Sequence, residues 1–165
     1  MRKKHLEIFL EKVPDYDTPI AEIEQYTTPA NIAADILYTA IDDIQGKDVI
    51  DLGCGTGIFC VGAKLLSAKK VIGVDIDPKI IKKAIEFARD TGIDVEYVCC
   101  NVADFDGIAD TVIQNPPFGA QKKNRYMDRI FLKKAMEIAP KVYSLHLTVT
   151  MNFIRKYIST LGGSI

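Results

Sequence analysis

Lys47-Asp48-Val49-Ile50-Asp51-Leu52-Gly53-Cys54-Gly55-Thr56-Gly57 is the stretch on which the fold turns. Its first six residues, with Val49, Ile50 and Leu52 among them, make a run of strand length, and three glycines follow at alternate positions. Glycine adopts left-handed backbone angles without a Cβ clash and lets the main chain come close to a ligand. A strand that enters such a turn and continues as a helix through about Ser67 opens a strand–helix–strand unit.

The same alternation extends in both directions. Lys70-Val71-Ile72-Gly73-Val74-Asp75 reads as a second buried strand, Val95 to Cys100 as a third, Asp110 to Ile113 as a fourth and Lys141 to Leu147 as a fifth. Between them, Asp77 and Pro78 start a helix that places Ile80, Ile81, Ala84, Ile85 and Ala88 on its core side, with Gly92 after its end. Upstream, Thr28 and Pro29 fit the N-cap and first position of a helix reaching about Gln45, with an apolar stripe from Ile32 through Leu37 to Ile44. Downstream, a helix from about Asp128 carries Ile130, Phe131, Ala135 and Ile138 on one side, and a last one covers about Met151 to Leu161. Single strands alternating with helices predict an α/β fold of three layers, a parallel sheet covered on both faces. Leu6, Phe9, Leu10 and Val13 add a short amphipathic helix over residues 3–13, whose Arg2, Lys3, Lys4 and Lys12 read as a solvated face. Residues 1–28 thus form an arm ahead of one domain over 29–165.

Asp75 ends the second strand, where a carboxylate can accept both hydroxyls of a ribose, so it and the glycine turn point to an adenosine-containing cofactor. A dinucleotide fingerprint would read G-x-G-x-x-G, with a pyrophosphate at the helix start. Here the spacing is G-x-G-x-G and Asp51 precedes it by two residues, an acid that repels pyrophosphate and suits an ammonium group. S-adenosylmethionine carries that ammonium, a ribose for Asp75 and an adenine that Asn101 and Val102 can cover.

Asn115-Pro116-Pro117-Phe118 follows the fourth strand and holds an amide and a ring at its carboxyl end, the end where open parallel sheets bind ligands. Prolines stop the strand there, since neither donates to a ladder and the first restricts Asn115 to extended geometry. An amine attached to an aromatic ring is a poor nucleophile because its lone pair is delocalised. Two acceptors on its N–H groups, the Asn115 side-chain oxygen and the Pro116 carbonyl, would align it with a sulfonium methyl. Phe118 would stack on the base. Lys122, Lys123, Arg125 and Arg129 follow closely and would form a basic rim for a nucleic acid, with Tyr126 as a stacking surface. His146 reads as a structural residue at the end of the fifth strand.

Composition restricts the rest. The 165 residues are 48% hydrophobic with a net charge of −1 and a pI near 6.1, which fits one globular domain and no overall positive field. Cys54, Cys60, Cys99 and Cys100 lack the C-x-x-C spacing of zinc and redox sites, so no metal site is expected and reduced cysteines are. The basic start is followed by charged residues rather than an apolar signal core, and no apolar run is long enough to span a bilayer. A soluble, cytoplasmic protein is expected.

The chain resembles the Rossmann-like class I methyltransferases that carry an Asn-Pro-Pro-Phe motif, and among them the methyltransferase-like protein 5 group of rRNA adenine-N6 methyltransferases. The resemblance runs through Glu24-Gln25-Tyr26, Thr28-Pro29, Asp51-Leu52-Gly53-Cys54-Gly55, Asp75-Ile76-Asp77, Asn115-Pro116-Pro117-Phe118-Gly119 and Tyr143-Ser144-Leu145-His146. It implies a Rossmann-like sheet of strand order 3-2-1-4-5 and transfer of a methyl group from S-adenosylmethionine to adenine N6 in structured, small-subunit rRNA. It further implies cofactor contacts from Gln25, Thr28, Gly53, Gly55, Thr56, Gly57, Ile58, Asp75, Ile76, Asn101 and Val102, with Asn115, Pro116, Pro117 and Phe118 holding the adenine. Such a fold would offer its third strand as an edge to a small zinc-binding activator protein.

The chain departs from the group in having Asn101 where relatives carry Asp, and Leu147 where they carry a basic residue. Relatives continue into two further strands beyond the point where this chain stops, so an incomplete chain is the expectation. Two rival readings use the same residues: a protein glutamine-N5 methyltransferase, since an amide nitrogen presents the same N–H geometry, and a non-catalytic module that binds the cofactor or a partner. Phe118 and the lack of a separate substrate domain favour RNA, and intact Asn115 and Asp51 speak against a decayed site.

Overall fold

A computed structural model describes residues 1–17, 26–117 and 126–165. Five strands, β1 (Asp48–Leu52), β2 (Lys70–Asp75), β3 (Glu96–Cys99), β4 (Thr111–Gln114) and β5 (Lys141–Ser144), form one parallel sheet of order β3-β2-β1-β4-β5. This is the Rossmann-like α/β fold, with the strand order that the resemblance implies. Among the described residues six α-helices accompany it: α1 (Lys3–Leu10), α2 (Ala30–Thr39), α3 (Ile58–Leu65), α4 (Pro78–Thr91), α5 (Met127–Ile138) and α6 (Met151–Thr160).

Side chains on a strand alternate between faces, and the two cores follow that period. Val49 of β1, Val71 of β2 and Ile113 of β4 face one layer with Leu37, Phe59, Val61 and Ile81, which come from α2, α3 and α4. Ile50, Leu52, Val74 and Val112 face the other, with Phe131, Ala135 and Ile138 of α5. Asp51 lies between Ile50 and Leu52, so it points into the α3 layer. Asp51 pairs with Gly73 and Ile113, and Leu52 with Val74 and Gln114, so β1, β2 and β4 end side by side. That alignment brings Gly53, Asp75 and Asn115 to one edge of the sheet.

Several element ends differ from the pattern reading. The Asp77 side chain caps α4 by accepting from Lys79 N at 2.9 Å, and Gly92 closes it at φ +69°, both as expected. Helix α2 stops at Thr39 instead of reaching Gln45. A 3-10 turn over Ile41–Asp43 takes over, and in it the Asp43 carboxylate accepts from the Tyr143 hydroxyl at 2.7 Å. Thr28 does not cap α2, whose N-cap is Pro29. Strand β5 ends at Ser144, three residues early, because β4, its only neighbour among the described residues, ends at Gln114 ahead of Pro116; Leu145 N still donates to Gln114 O at 3.1 Å. Helix α1 ends at Leu10, and Ile32, Ile85 and Ile130, taken as core-facing, are exposed. No helix among the described residues is long and apolar enough to cross a membrane. All four cysteines are free thiols, Cys54 and Cys60 buried and Cys99 exposed.

Candidate cofactor and methyl-transfer site

The three glycines after β1 all take left-handed angles, +71° at Gly53, +53° at Gly55 and +91° at Gly57. The turn is tied to the neighbouring strand, as Gly53 N and Cys54 N donate to Val74 O at 2.8 and 2.9 Å. Each glycine also lacks a Cβ for a separate reason. One at Gly53 would lie 2.8 Å from the Phe131 ring, one at Gly55 would meet the Tyr16 hydroxyl, and one at Gly57 the Tyr97 hydroxyl. The ring of Tyr97, on β3, lies over its register partner Gly73 on β2 and reaches across to Gly57. Gly57 therefore makes room for packing behind the turn.

Asp75 is fixed by the turn it faces. Its two carboxylate oxygens accept from Gly55 N at 2.9 Å and from Asp77 N at 3.0 Å, leaving further lone pairs for a ligand. Burial pushes its pKa up, and these backbone N–H groups partly offset that. Asp51 is 1% exposed, accepts from Cys60 Sγ at 3.4 Å and keeps its Oδ1 buried with no partner among the described residues. Burial raises its pKa to about 7, opposed by the Cys60 bond and assisted by Asp75. Asn101 accepts from Ala103 N at 2.9 Å and so caps the 3-10 turn Val102–Asp104, which buries Val102 beneath it. Beside it Ile76 is 57% exposed, an apolar side chain left facing open space.

The N-terminal arm closes the other side. The Thr27 hydroxyl and Tyr16 N both bond the Asp15 carboxylate, which lowers its pKa, and Lys83 of α4 reaches the Asp15 carbonyl and the Asp17 carboxylate. Asn115 joins arm to sheet: its Nδ2 donates to the Thr28 hydroxyl at 2.9 Å, while its Oδ1 is buried with no partner among the described residues. Thr28, which looked like a helix cap, is instead what fixes the amide's orientation. Behind Asn115, Gln114 Nε2 donates to Ser144 Oγ at 2.9 Å, and Ser144 meets His146 Nε2 at 2.8 Å. Burial lowers the His146 pKa, opposed by Asp128.

These elements enclose a cleft of about 330 Å³ at the carboxyl end of the sheet. Of the residues singled out in the sequence, Thr28, Gly53, Gly55, Thr56, Ile58, Asp75, Ile76, Asn101, Val102, Asn115 and Pro117 line it together. Asp51, Gly57 and Pro116 do not reach its surface. Gln25, Phe118, Lys122, Lys123 and Arg125 lie outside the described residues. Arg129 stands apart from the lining on α5, its guanidinium 4.9 Å from the Tyr126 ring and 4.3 Å from the Phe153 ring. Tyr16, Tyr26, Thr27, Cys54, Phe59, Met127 and Phe131 also line the cleft and were not anticipated. Two tyrosines in a polar lead-in were a readable signal; the helical residues carried none, since a core position and a cleft wall look alike in sequence.

Residues 28–152 match the model of the methyltransferase small domain. This chain belongs to that family. Its relatives include the rRNA N(6)-adenosine-methyltransferase METTL5 of Danio rerio, 41% identical over 94% of this chain and 79% of the relative. An uncharacterised protein of Methanocaldococcus jannaschii is 43% identical over all of this chain and 80% of its own length. A candidate RNA methyltransferase of Pyrococcus horikoshii superposes with a TM-score of 0.92 at 42% identity, over 98% of this chain and 80% of that one. As a methyltransferase small domain related to METTL5, the chain is an S-adenosylmethionine-dependent methyltransferase. The cleft suits that cofactor: a carboxylate already oriented at a glycine turn, an exposed apolar side chain beside it, and a buried carboxyl beneath the turn.

Proposed function

We propose that this methyltransferase modifies the exocyclic N6 of an adenine in structured RNA, with small-subunit rRNA as the substrate. The observation that carries the reading is Asn115, whose amide nitrogen is tied to Thr28 while its carbonyl oxygen is buried with no partner among the described residues. An unsatisfied buried acceptor costs about 1–3 kcal/mol, a cost that a donor arriving with the substrate removes. The activity of the METTL5 relatives supports adenine as that donor.

Bound in the cleft, S-adenosylmethionine supplies an electrophilic sulfonium methyl. Asp75 would hold its ribose, Ile76 and Val102 would flank its adenine, and the Gly53–Gly57 turn with Asp51 beneath would face its amino-acid end. Asn115 Oδ1, on the cleft wall, would accept one N–H group of the target amine, and the Pro116 carbonyl, whose residue lies just behind the lining, would take the other as the amine enters, turning its lone pair toward the methyl carbon. As the amine nitrogen takes the methyl group, the cofactor keeping the electron pair of the broken bond, positive charge would develop on nitrogen, and both acceptors would stabilise it. One amine proton is then released to water, so no histidine or carboxylate base is needed. Phe118 would stack on the base, and Lys122, Lys123, Arg125 and Arg129 would hold the flanking phosphates. The β3 edge is where a small zinc-binding activator would add a strand.

The test is to incubate the protein with methyl-labelled S-adenosylmethionine and separated RNA, DNA and protein, with and without an added activator. Label in RNA that digests to N6-methyladenosine is the expected result. Label confined to protein would replace this reading with glutamine-N5 methylation, and label in no fraction would leave a binding module.

A further inference from the structure

Outside the cleft, one group of side chains has no role in cofactor binding or in the grip on the amine. On α6, Phe153 and Tyr157 stack with ring centroids 5.9 Å apart and planes 12° from parallel. The Arg129 guanidinium of α5 lies over the Phe153 ring, 4.3 Å from its centroid, and over the Tyr126 ring at 4.9 Å. The four side chains form a continuous ladder from the N-terminus of α5 along α6. It is open to solvent: Phe153 is 38% and Tyr126 55% exposed. A folded protein gains nothing from leaving aromatic rings in water, and the Nε of Arg129 is buried with no hydrogen-bond partner among the described residues.

The charge around the ladder identifies its occupant. The net charge of −1 conceals two opposed halves. Residues 1–110 carry twelve Lys and Arg against twenty Asp and Glu, about −8, whereas residues 111–165 carry nine against two, about +7. One of those two acids, Asp128, is buried, and the other, Glu137, is paired with Lys133 and Lys134 at 3.8 and 3.6 Å. From Lys141 to Ile165 there is no acidic residue at all, and Arg155 and Lys156 flank the rings on α6. Stacked aromatic and guanidinium planes with Arg155 and Lys156 beside them in sequence fit unpaired nucleotides, whose bases stack and whose phosphates need cations. The ladder also adjoins the cleft, because Met127 and Phe131 of the same α5 turn line it, and a helix is only about 10 Å across.

We infer that Tyr126, Arg129, Phe153 and Tyr157 form a stacking platform for the unpaired RNA nucleotides next to the target adenine. The inference rests on RNA being the substrate and adds how the strand is held beyond the reacting base. Because stacking is tolerant of base identity, the platform contributes affinity and register, while selection of the base stays with Asn115.

The experiment measures binding of a fluorescently labelled single-stranded RNA of mixed sequence to the intact protein, together with cofactor affinity by calorimetry. Phe153→Ala and Tyr157→Ala should each weaken RNA binding about tenfold. The slope of affinity against salt should stay unchanged, since no charge is removed, and so should cofactor affinity. Phe153→Trp and Tyr157→Phe, which keep a ring, should retain binding. Unchanged RNA binding in both alanine variants would overturn the platform and leave the rings for a protein partner. Equal loss in the ring-retaining variants would overturn it too. RNA binding that depends on the rings, in a protein whose label goes only to protein, would keep the rings as an RNA-stacking surface but overturn their place beside a target adenine together with the adenine-N6 reading. RNA methylation indifferent to the rings would overturn the platform and leave the adenine-N6 reading standing.

Discussion

At the scale of single residues, Asn115 depends on Thr28. Its amide nitrogen donates to the Thr28 hydroxyl at 2.9 Å, which tethers the side chain while its oxygen has no partner among the described residues. Asn115→Ala should therefore abolish transfer while leaving cofactor affinity within about threefold, because binding energy lost only in the transition state lowers turnover. Thr28→Val keeps the shape and removes the hydroxyl, so turnover should fall about tenfold with a smaller change in cofactor affinity. Turnover and calorimetry on both variants check this; a cofactor affinity that collapses with Asn115→Ala would show that the residue belongs to the cofactor.

Asp51 makes a second prediction at this scale. Its carboxyl is raised by burial to about 7 in the folded chain, from about 3.9 when unfolded. A raised folded pKa means that the native state holds the proton more tightly. Its contribution to stability is complete below about pH 4 and declines as pH climbs to about 7. Denaturant unfolding of the cofactor-free protein should show this decline, on the order of 2–4 kcal/mol, and Asp51→Asn should flatten it. Parallel curves for the two proteins would mean that Asp51 is not the titrating group. Since a cation above the carboxyl favours its charged form, cofactor affinity should rise over the same range.

At the scale of elements, glycine in a strand and glycine in a turn act together. A Cβ on Gly73 would stand 2.8 Å from Cys60 Sγ and from two atoms of the Tyr97 ring, so the ring needs the bare backbone of β2. Strand propensity alone favours alanine over glycine at such a position. Overpacking against three buried atoms outweighs that, and Gly73→Ala should destabilise the protein by about 1–3 kcal/mol in denaturant unfolding. A neutral or stabilising result would show that Tyr97 moves freely. Element ends were the least legible feature of the sequence for a related reason. The early end of β5 followed the end of β4 ahead of Pro116, and the shortening of α2 accompanied a bond from Tyr143, a hundred positions away. By contrast, the start and stop of α4 were readable because Asp77, Pro78 and Gly92 act on their own backbone.

For the whole molecule, the strand order and the placement of the site at the carboxyl ends of β1, β2 and β4 followed from the alternating pattern and the chain of motifs. Near-zero net charge, in contrast, concealed a division between an acidic first part and a basic last part. That division acquires meaning only where α5 and α6 bring Arg129 and the α6 rings to one surface. The sequence alone determined the α/β class, the glycine turn with its acidic partners and the rigid Asn-Pro-Pro motif, because these are local: backbone angles, periodicity and proline geometry act over a few residues. Only the tertiary structure decided that Asp51 is buried off the cleft surface, that Thr28 bonds Asn115, and that Tyr16 and Tyr26 help to line the cleft. Those outcomes depend on which faces of distant segments meet, and packing settles that across the whole chain.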